Sequence, residues 1–308
     1  MFSKLKAWKA NKDVIKEHRD APKSTNIHEE YHRAVRTKSY ADFCNKAQLL
    51  ANHPSKIKRF SEFLLEPDQE TIPSILDSAT FSNTPELKNI MLTYFDISAE
   101  ASHICSNLLK GINQVHSDYQ FFQRALDIDD GDSLESFELI IIELSSFIIS
   151  SDPFSNLENH DFKLIHDKHS SVLHHLKSMR KRVGRKIKHL KRKIGGFKFS
   201  GSGSSLSKVY DQLDIAAKGT YIMNRDFDTM SRLVARLQDE IEHSRAMVQF
   251  CLDRKEDRVS MQIVKELKKS DFGFRKHVEE LEEHVYLCLV TINRARALVI
   301  KEMKNSRP

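Results

Sequence analysis

Helix-breaking residues are scarce in this 308-residue sequence. It contains nine glycines and seven prolines, whereas 30% of its residues are charged. This composition disfavours strand-and-turn architectures and suits long amphipathic helices, and 40% hydrophobic residues are enough to cover a core. We therefore expect an all-α fold, an elongated bundle of long antiparallel helices.

Cysteines are few and widely separated. Cys44, Cys105, Cys251 and Cys288 form no CxxC pair and no close spacing. This excludes a zinc knuckle or a disulfide framework as the basis of the fold. A reducing, cytosolic setting is the expectation that follows.

Long hydrophobic runs are also missing. Spanning a bilayer takes ~18 to 20 apolar residues, and the best candidate, Phe137 to Ser150, is shorter and carries Glu138 and Glu143. The N-terminus has lysines but no continuous apolar core, so it does not predict a secretory signal. As written, the chain is expected to be a soluble cytosolic protein.

Changes in composition divide the chain into four regions. Residues 1–25 are polar and basic and predict a flexible arm. Residues 26–194 predict an N-terminal helical region that ends in a polybasic amphipathic helix. A Gly/Ser linker covers 195–205, and 206–308 predict a helical hairpin that packs on the N-terminal region.

Helix signals within the N-terminal region are local. Thr84 as N-cap followed by Pro85 is a strong start signal for a long helix. Upstream, Pro67 and Pro73 predict two short helices interrupted at the prolines, because proline removes a backbone donor and clashes with the preceding turn.

The C-terminal region shows the most regular apolar pattern, with alternating steps of three and four residues. It predicts a coiled-coil-like hairpin of two antiparallel helices joined by a shorter helical piece around Met261 to Lys268. The helices could pair within one chain or between two copies, so a homo-oligomer stays open. The predicted core or partner seam comprises Phe227, Met230, Val234, Leu237, Ile241, Val248, Phe274, Val278, Leu281, Val285, Ile292 and Val299.

The sharpest functional signal is a cationic helix. The formal net charge is only +6, but ten Lys or Arg and no acid lie between Lys177 and Lys193. Three interpretations compete: a solvated helix face, a nucleic-acid contact through phosphates, and a segment that faces anionic lipid. Residues that read bases are missing around it, which disfavours nucleic acid. The lipid interpretation assigns the contacts to Lys181, Arg182, Arg185, Lys186, Lys188, Lys191, Arg192 and Lys193.

Patterns that could hold a metal are weak. Three Glu-x-x-His pairs occur, Glu29/His32, Glu100/His103 and Glu240/His243, a spacing found in di-iron bundles but also expected by chance. The loop from Asp127 to Glu138 resembles a calcium loop but has Asp132 where glycine is required. We therefore expect no metal, no cofactor and no enzymatic activity, with a metal-dependent helical enzyme as an alternative.

Five sequence blocks between Asn26 and Met303 share a family resemblance: EEYHRAVRTKSYADF, LLEPDQETIPSILDSA, LKNIMLTYFDISAEASHICSNLLKGI, AAKGTYIMNRDFDTMSRLVARLQDEIEH and LEEHVYLCLVTINRARALV. These blocks resemble a plant-specific family of uncharacterised, membrane-associated proteins, UPF0496, which includes the integrin-like "fourteen-a" proteins. They are fold-level blocks that carry no catalytic residue.

The resemblance implies a membrane hairpin, because family members carry two apolar segments directly after the basic run. This sequence has GFKFSGSGSSLS there instead, as if a linker replaced the hairpin. A hairpin returns the chain to its starting face, and the cationic helix indicates the cytosolic one. The expected function is a non-enzymatic scaffold or adaptor at a plant membrane, most simply the plasma membrane, with anionic lipid and unidentified proteins as partners.

Overall fold

A computed structural model describes residues 69–77, 84–127, 140, 144–145, 148, 151–155, 159–193, 202–254 and 258–304. Five α-helices have described bounds: α1 (Ile72–Asp77), α2 (Pro85–Asp127), α3 (Asn159–Lys193), α4 (Ser202–Asp253) and α5 (Arg258–Lys304). A 3-10 turn, Gln69–Thr71, leads directly into α1. The predicted all-α fold is confirmed. The predicted arm at 1–25 and the calcium-like loop lie outside the described residues, except for Asp127 at the end of α2.

The four long helices pack as an up-down-up-down bundle. Arg180 of α3 meets Asp214 of α4 and His166 meets Asp228, so residue numbers rise on one helix as they fall on the other. The same antiparallel relation joins α4 to α5 and α5 to α2. In the ring that results, α3 packs on α2 and α4, whereas α5 packs on α4 and α2. Therefore α3 and α5 lie diagonally across the bundle.

Helix α2 begins as its sequence predicts. The backbone carbonyl of Thr84 accepts hydrogen bonds from the N–H groups of Leu87 at 3.0 Å and Lys88 at 3.1 Å, and Pro85 occupies the first helical position. Proline is tolerated there because the first helical N–H groups have no partner within the helix.

Two predicted interruptions are wrong. Pro73 is the second residue of α1 and does not break it, because proline has no clash to make in a first turn. The piece around Met261 to Lys268 is not separate either, since α5 runs unbroken from Arg258 to Lys304. Val264 and Leu267 are buried there and continue the apolar stripe of α5 toward Phe274.

The Gly/Ser segment is partly helical. Helix α4 begins at Ser202, so its first residues, Ser202 to Ser205, fall inside the predicted linker 195–205. Serine is well suited to a helix start, where its hydroxyl can serve free backbone N–H groups. The connection between α3 and α4 is therefore shorter than the sequence predicts.

The core of the bundle contains every residue of the predicted C-terminal seam. All twelve are buried, with exposed fractions of 8% or less. The seam is therefore closed within one chain, and these side chains are not open to a second protein in this structure.

Candidate functional site

The basic residues near the end of α3 point into solvent. Lys181, Arg182, Arg185, Lys186, Lys188, Lys191 and Arg192 are exposed, and Lys193 is the last residue of the helix. The core face of the same helix carries Val172, Leu176 and Val183, which are buried. The sequence of α3 thus alternates apolar residues at helical spacing with cations on the remaining faces.

Four of these cations form one outward stripe. Lys181, Arg185, Lys188 and Arg192 recur at steps of four, three and four residues, which places them on one face of a helix. That face lies roughly opposite Val183, which points to the core. We call these four residues the outer stripe.

Contacts between helices show that the end of α3 extends past its neighbours. Arg182 pairs with Glu86, the second residue of α2. The Tyr210 ring of α4 lies against Gly184, where an added Cβ would come within 3.3 Å of the ring. Two residues further along α4, Gln212 donates a hydrogen bond at 3.1 Å to the backbone oxygen of Glu302, near the end of α5.

Helix α2 therefore starts, and α5 ends, close to the level of Gly184. Among the described helices, only residues 185–193 of α3 and 202–209 of α4 continue beyond that level, and they form a two-helix extension of about 14 Å at 1.5 Å per residue. We call it the basic projection. Its seam is thin: Val209 is buried, but Ile187, Leu190 and Leu206 are only half-buried, because two helices cover less surface than four.

Most of the positive charge on the C-terminal part of α3, from Arg180 onward, is not neutralised. Arg180 pairs with Asp214, and Arg182 pairs with Glu86. In the part of the chain that the structure describes, no ion pair is made by Lys181, Arg185, Lys186, Lys188, Lys191 or Arg192. Clustered like charges repel one another, so the arrangement favours binding of an anionic surface or ligand.

The glutamates of two predicted Glu-x-x-His pairs make ordinary contacts with side chains of neighbouring helices. Glu100 pairs with Lys168 of α3 at 2.5 Å, and Glu240 contacts His277 of α5 at 2.8 Å. Among the described residues, no group of three His, Cys, Asp or Glu side chains could hold a metal ion. The pair Glu29/His32 lies outside them.

Burial shifts the pKa values of three titratable groups in the bundle toward the neutral form. Burial lowers the pKa of His169 to about 4 and raises the pKa of Asp226 to about 7. A hydrogen bond with Cys105, together with burial, raises the pKa of the Cys288 thiol well above its usual range. Because a thiolate is the reactive form of cysteine, Cys288 is not a candidate nucleophile.

Arg296 is a buried polar residue that the sequence interpretation missed. It is fully buried on α5, and its guanidinium donates to the Phe95 carbonyl at 3.0 Å, the Ser98 hydroxyl at 2.7 Å and the Gln69 side-chain oxygen at 3.0 Å. The available signal was its position inside the apolar stripe, four residues after Ile292. Its contacts hold the 3-10 turn and α2 against α5.

A family model described as "Protein of unknown function (DUF677)" matches residues 36–197 and 202–303. The two stretches together cover most of the chain. The chain belongs to the DUF677 family. The break in the match falls within the Gly/Ser segment that follows the basic helix.

Relatives of this DUF677 member are plant UPF0496 proteins, which confirms the predicted family. "UPF0496 protein At1g20180" from Arabidopsis thaliana is 29% identical over 357 aligned residues, covering 90% of each chain. "Putative UPF0496 protein 2" from Oryza sativa subsp. indica is 44% identical over 97 residues, covering 31% of this chain and 24% of its own. "UPF0496 protein At3g19250" from Arabidopsis thaliana is 22% identical over 327 residues, covering 90% of this chain and 89% of its own.

None of these descriptions names an enzymatic activity. No solved structure matches the DUF677 chain. Within the described residues, no helix combines the length and the low polarity that crossing a bilayer requires.

Proposed function

We propose that this DUF677 protein is a non-enzymatic helical scaffold or adaptor that works at a membrane. The basic projection binds anionic lipid headgroups on the cytosolic face, and the bundle serves as the body for protein interactions. The observation that carries the proposal is the set of exposed cations on the projection that no described acid neutralises.

The energetics favour a lipid surface over a single small anion. Each Lys or Arg close to an anionic bilayer contributes about 1 kcal/mol, so several together are enough for stable association. The outer stripe spans twelve residues of helix, a rise of about 17 Å, which matches an extended charged surface better than a compact pocket.

The sequence comparison supports the same location. The alignment with the relative At1g20180 is longer than this 308-residue chain, so the relative has residues within the matched region that this chain lacks. The family match itself breaks within 198–201, next to the basic projection. The break in the family match lies where the expected membrane hairpin of family members would stand, and the longer alignment shows that this relative has additional residues. The plasma membrane is the expected site.

Liposome flotation tests the proposal. We expect the protein to float with vesicles that contain phosphatidylserine and to stay behind with vesicles of phosphatidylcholine alone. Replacing the outer stripe by glutamine (K181Q, R185Q, K188Q and R192Q) should remove the difference, because it removes four unpaired cations from one face.

A matched control changes net charge equally at other exposed positions on α2, α3 and α4: K110Q, K163Q, R225Q and R232Q. This variant should float like the unmodified protein. Equal binding to both vesicle types, or equal losses in the two variants, contradicts the proposal. Salt-sensitive binding to RNA with no binding to anionic vesicles would favour the nucleic-acid alternative instead.

A further inference from the structure

Phe272 is an aromatic residue that the fold leaves in solvent. Its exposed fraction is 74%, the highest among the large apolar side chains in the described ranges. It lies on the outer face of α5, two residues before the buried Phe274. Exposing a phenylalanine gives up burial that would stabilise the chain, and this residue lies beside a second feature that packing does not account for.

The neighbouring Gly273 is equally unexplained by packing. Gly111, Gly184 and Gly219 each lie against another element, where an added Cβ would meet atoms at 2.7 Å, 3.3 Å and 2.9 Å respectively. A Cβ at Gly273 would meet nothing within 4 Å. Glycine destabilises a helix interior relative to alanine, so α5 carries an uncompensated cost beside its exposed aromatic residue.

Cations surround these two residues. The positions three and four residues before and after Phe272, which are its neighbours on a helix surface, are Lys268, Lys269, Arg275 and Lys276. Lys269 contacts Glu266 at 2.8 Å and Arg275 contacts Asp271 at 2.6 Å, but both basic residues remain exposed. An apolar residue with a basic rim is complementary to an apolar surface with acidic flanks.

We propose that this patch of α5, centred on Phe272 and Gly273, binds an acidic amphipathic helix of another protein. Phe272 inserts into the apolar face of that helix, the backbone of the helix crosses α5 at Gly273, and its acidic flanks meet Lys268, Lys269 and Lys276. The inference names the partner surface that an adaptor needs and in that respect rests on the proposed function.

Two other occupants fit the patch less well. Fluid lipid chains fill any shape and gain nothing from a missing Cβ, whereas a helix that crosses α5 gains a closer backbone approach. A second copy of α5 that placed Phe272 over the partner's Gly273 in an antiparallel crossing would bring Lys269 next to the partner's Lys276. Like charges that face each other disfavour this arrangement.

The patch is also separate from the basic projection. Helices α3 and α5 are diagonal in the bundle, and Phe272 lies near the start of α5, whereas the projection lies beside its end. Loss of one site should therefore leave the other intact, and the two can be tested independently.

The test uses two fluorescein-labelled synthetic helical peptides. One has leucine and alanine on one face and glutamate on the flanks; the other has lysine in place of glutamate. Fluorescence anisotropy should show the glutamate peptide binding to the full chain, with affinity that falls as salt rises, and the lysine peptide not binding. Phe272→Ala should weaken binding about tenfold, as expected for a central aromatic anchor.

Gly273→Ala gives a readout that a structural role would not give. It should weaken peptide binding while raising the melting temperature, because alanine favours the helix but blocks close approach. Leu164→Ala, which truncates an apolar side chain that is 41% exposed on α3, is the matched control and should leave peptide binding unchanged.

Four outcomes would overturn the inference. They are no binding of the glutamate peptide, equal binding to all variants, a loss of vesicle flotation with Phe272→Ala, and dissociation of a dimer by Phe272→Ala in light scattering. The third assigns the patch to lipid and the fourth to a second copy. If only the outer-stripe variant fails to float and it still binds the peptide, the result concerns the membrane proposal alone. The inference about the Phe272 patch is then unaffected.

Discussion

At the scale of single residues, Gly111 shows why α2 has a glycine in its interior. A Cβ at this position would lie 2.7 Å from the Pro153 carbonyl oxygen and 2.8 Å from the ring of Phe154, which is fully buried. The loop has little freedom to retreat, because Asp152 accepts hydrogen bonds from the Phe154 N–H at 2.9 Å and from the Gln238 side chain at 3.4 Å.

Gly111→Ala should therefore lower the free energy of unfolding, by about 1 kcal/mol. Overpacking costs ~1–3 kcal/mol, which outweighs a helix-propensity gain of about 1 kcal/mol. Urea denaturation measures the difference. The same substitution at Gly273, where space is open, should stabilise the protein. Equal stabilisation of the protein by Gly111→Ala and Gly273→Ala would contradict the close packing at Gly111.

At the scale of elements, Arg296 connects three pieces of structure. Its guanidinium on α5 donates to α2 through Phe95 and Ser98 and to the 3-10 turn before α1 through Gln69. Its planar group also lies over the Phe95 ring, 5.1 Å from the centroid. A compact ammonium cannot reproduce this divergent set of contacts.

Arg296→Lys should lower the free energy of unfolding by about 2 kcal/mol, because buried acceptors lose their donors. The control is Arg275→Lys, also on α5, where the side chain is exposed and pairs with Asp271 one turn away. That change should alter stability by less than about 0.5 kcal/mol. Similar urea midpoints for the two variants would show that the buried network contributes little.

At the scale of the whole molecule, the bundle separates the two proposed surfaces. The basic projection lies at one end of α3, and the Phe272 patch lies on the diagonal helix toward the other end. A membrane bound along the outer stripe would leave the patch accessible. Both partners should therefore bind at once.

A co-flotation experiment measures whether the vesicle and the peptide bind the protein at the same time. The labelled glutamate peptide should float with phosphatidylserine vesicles only when the protein is present, because the peptide and the vesicle both carry net negative charge and repel each other. The Phe272→Ala protein should float without carrying peptide, and the outer-stripe variant should bind peptide without floating. Release of peptide from the protein by vesicles would mean that the two surfaces overlap.

The fold and the core were largely predictable from local patterns. The apolar spacing of Phe227 through Ile241 predicts a helix with one buried face, and those residues are buried in α4. The errors came from helix ends: Pro73 is compatible with a first turn, and nothing around Met261 stops α5. Arg296 was missed because the acceptors of its hydrogen bonds come from residues distant in the chain.

What the sequence determined by itself is helix type, the buried face of each helix and the clustering of cations on α3, since these depend on spacing over a few turns. Only the tertiary structure decided the register between helices. Because of this register, the end of α3 extends beyond α2 and α5, and most of its cations form no ion pair with a described residue. The packing order of the helices also places α3 and α5 diagonally opposite each other. The physical reason is that register depends on contacts between residues far apart in sequence, such as Arg182 with Glu86 and Gln212 with Glu302, which no local periodicity encodes.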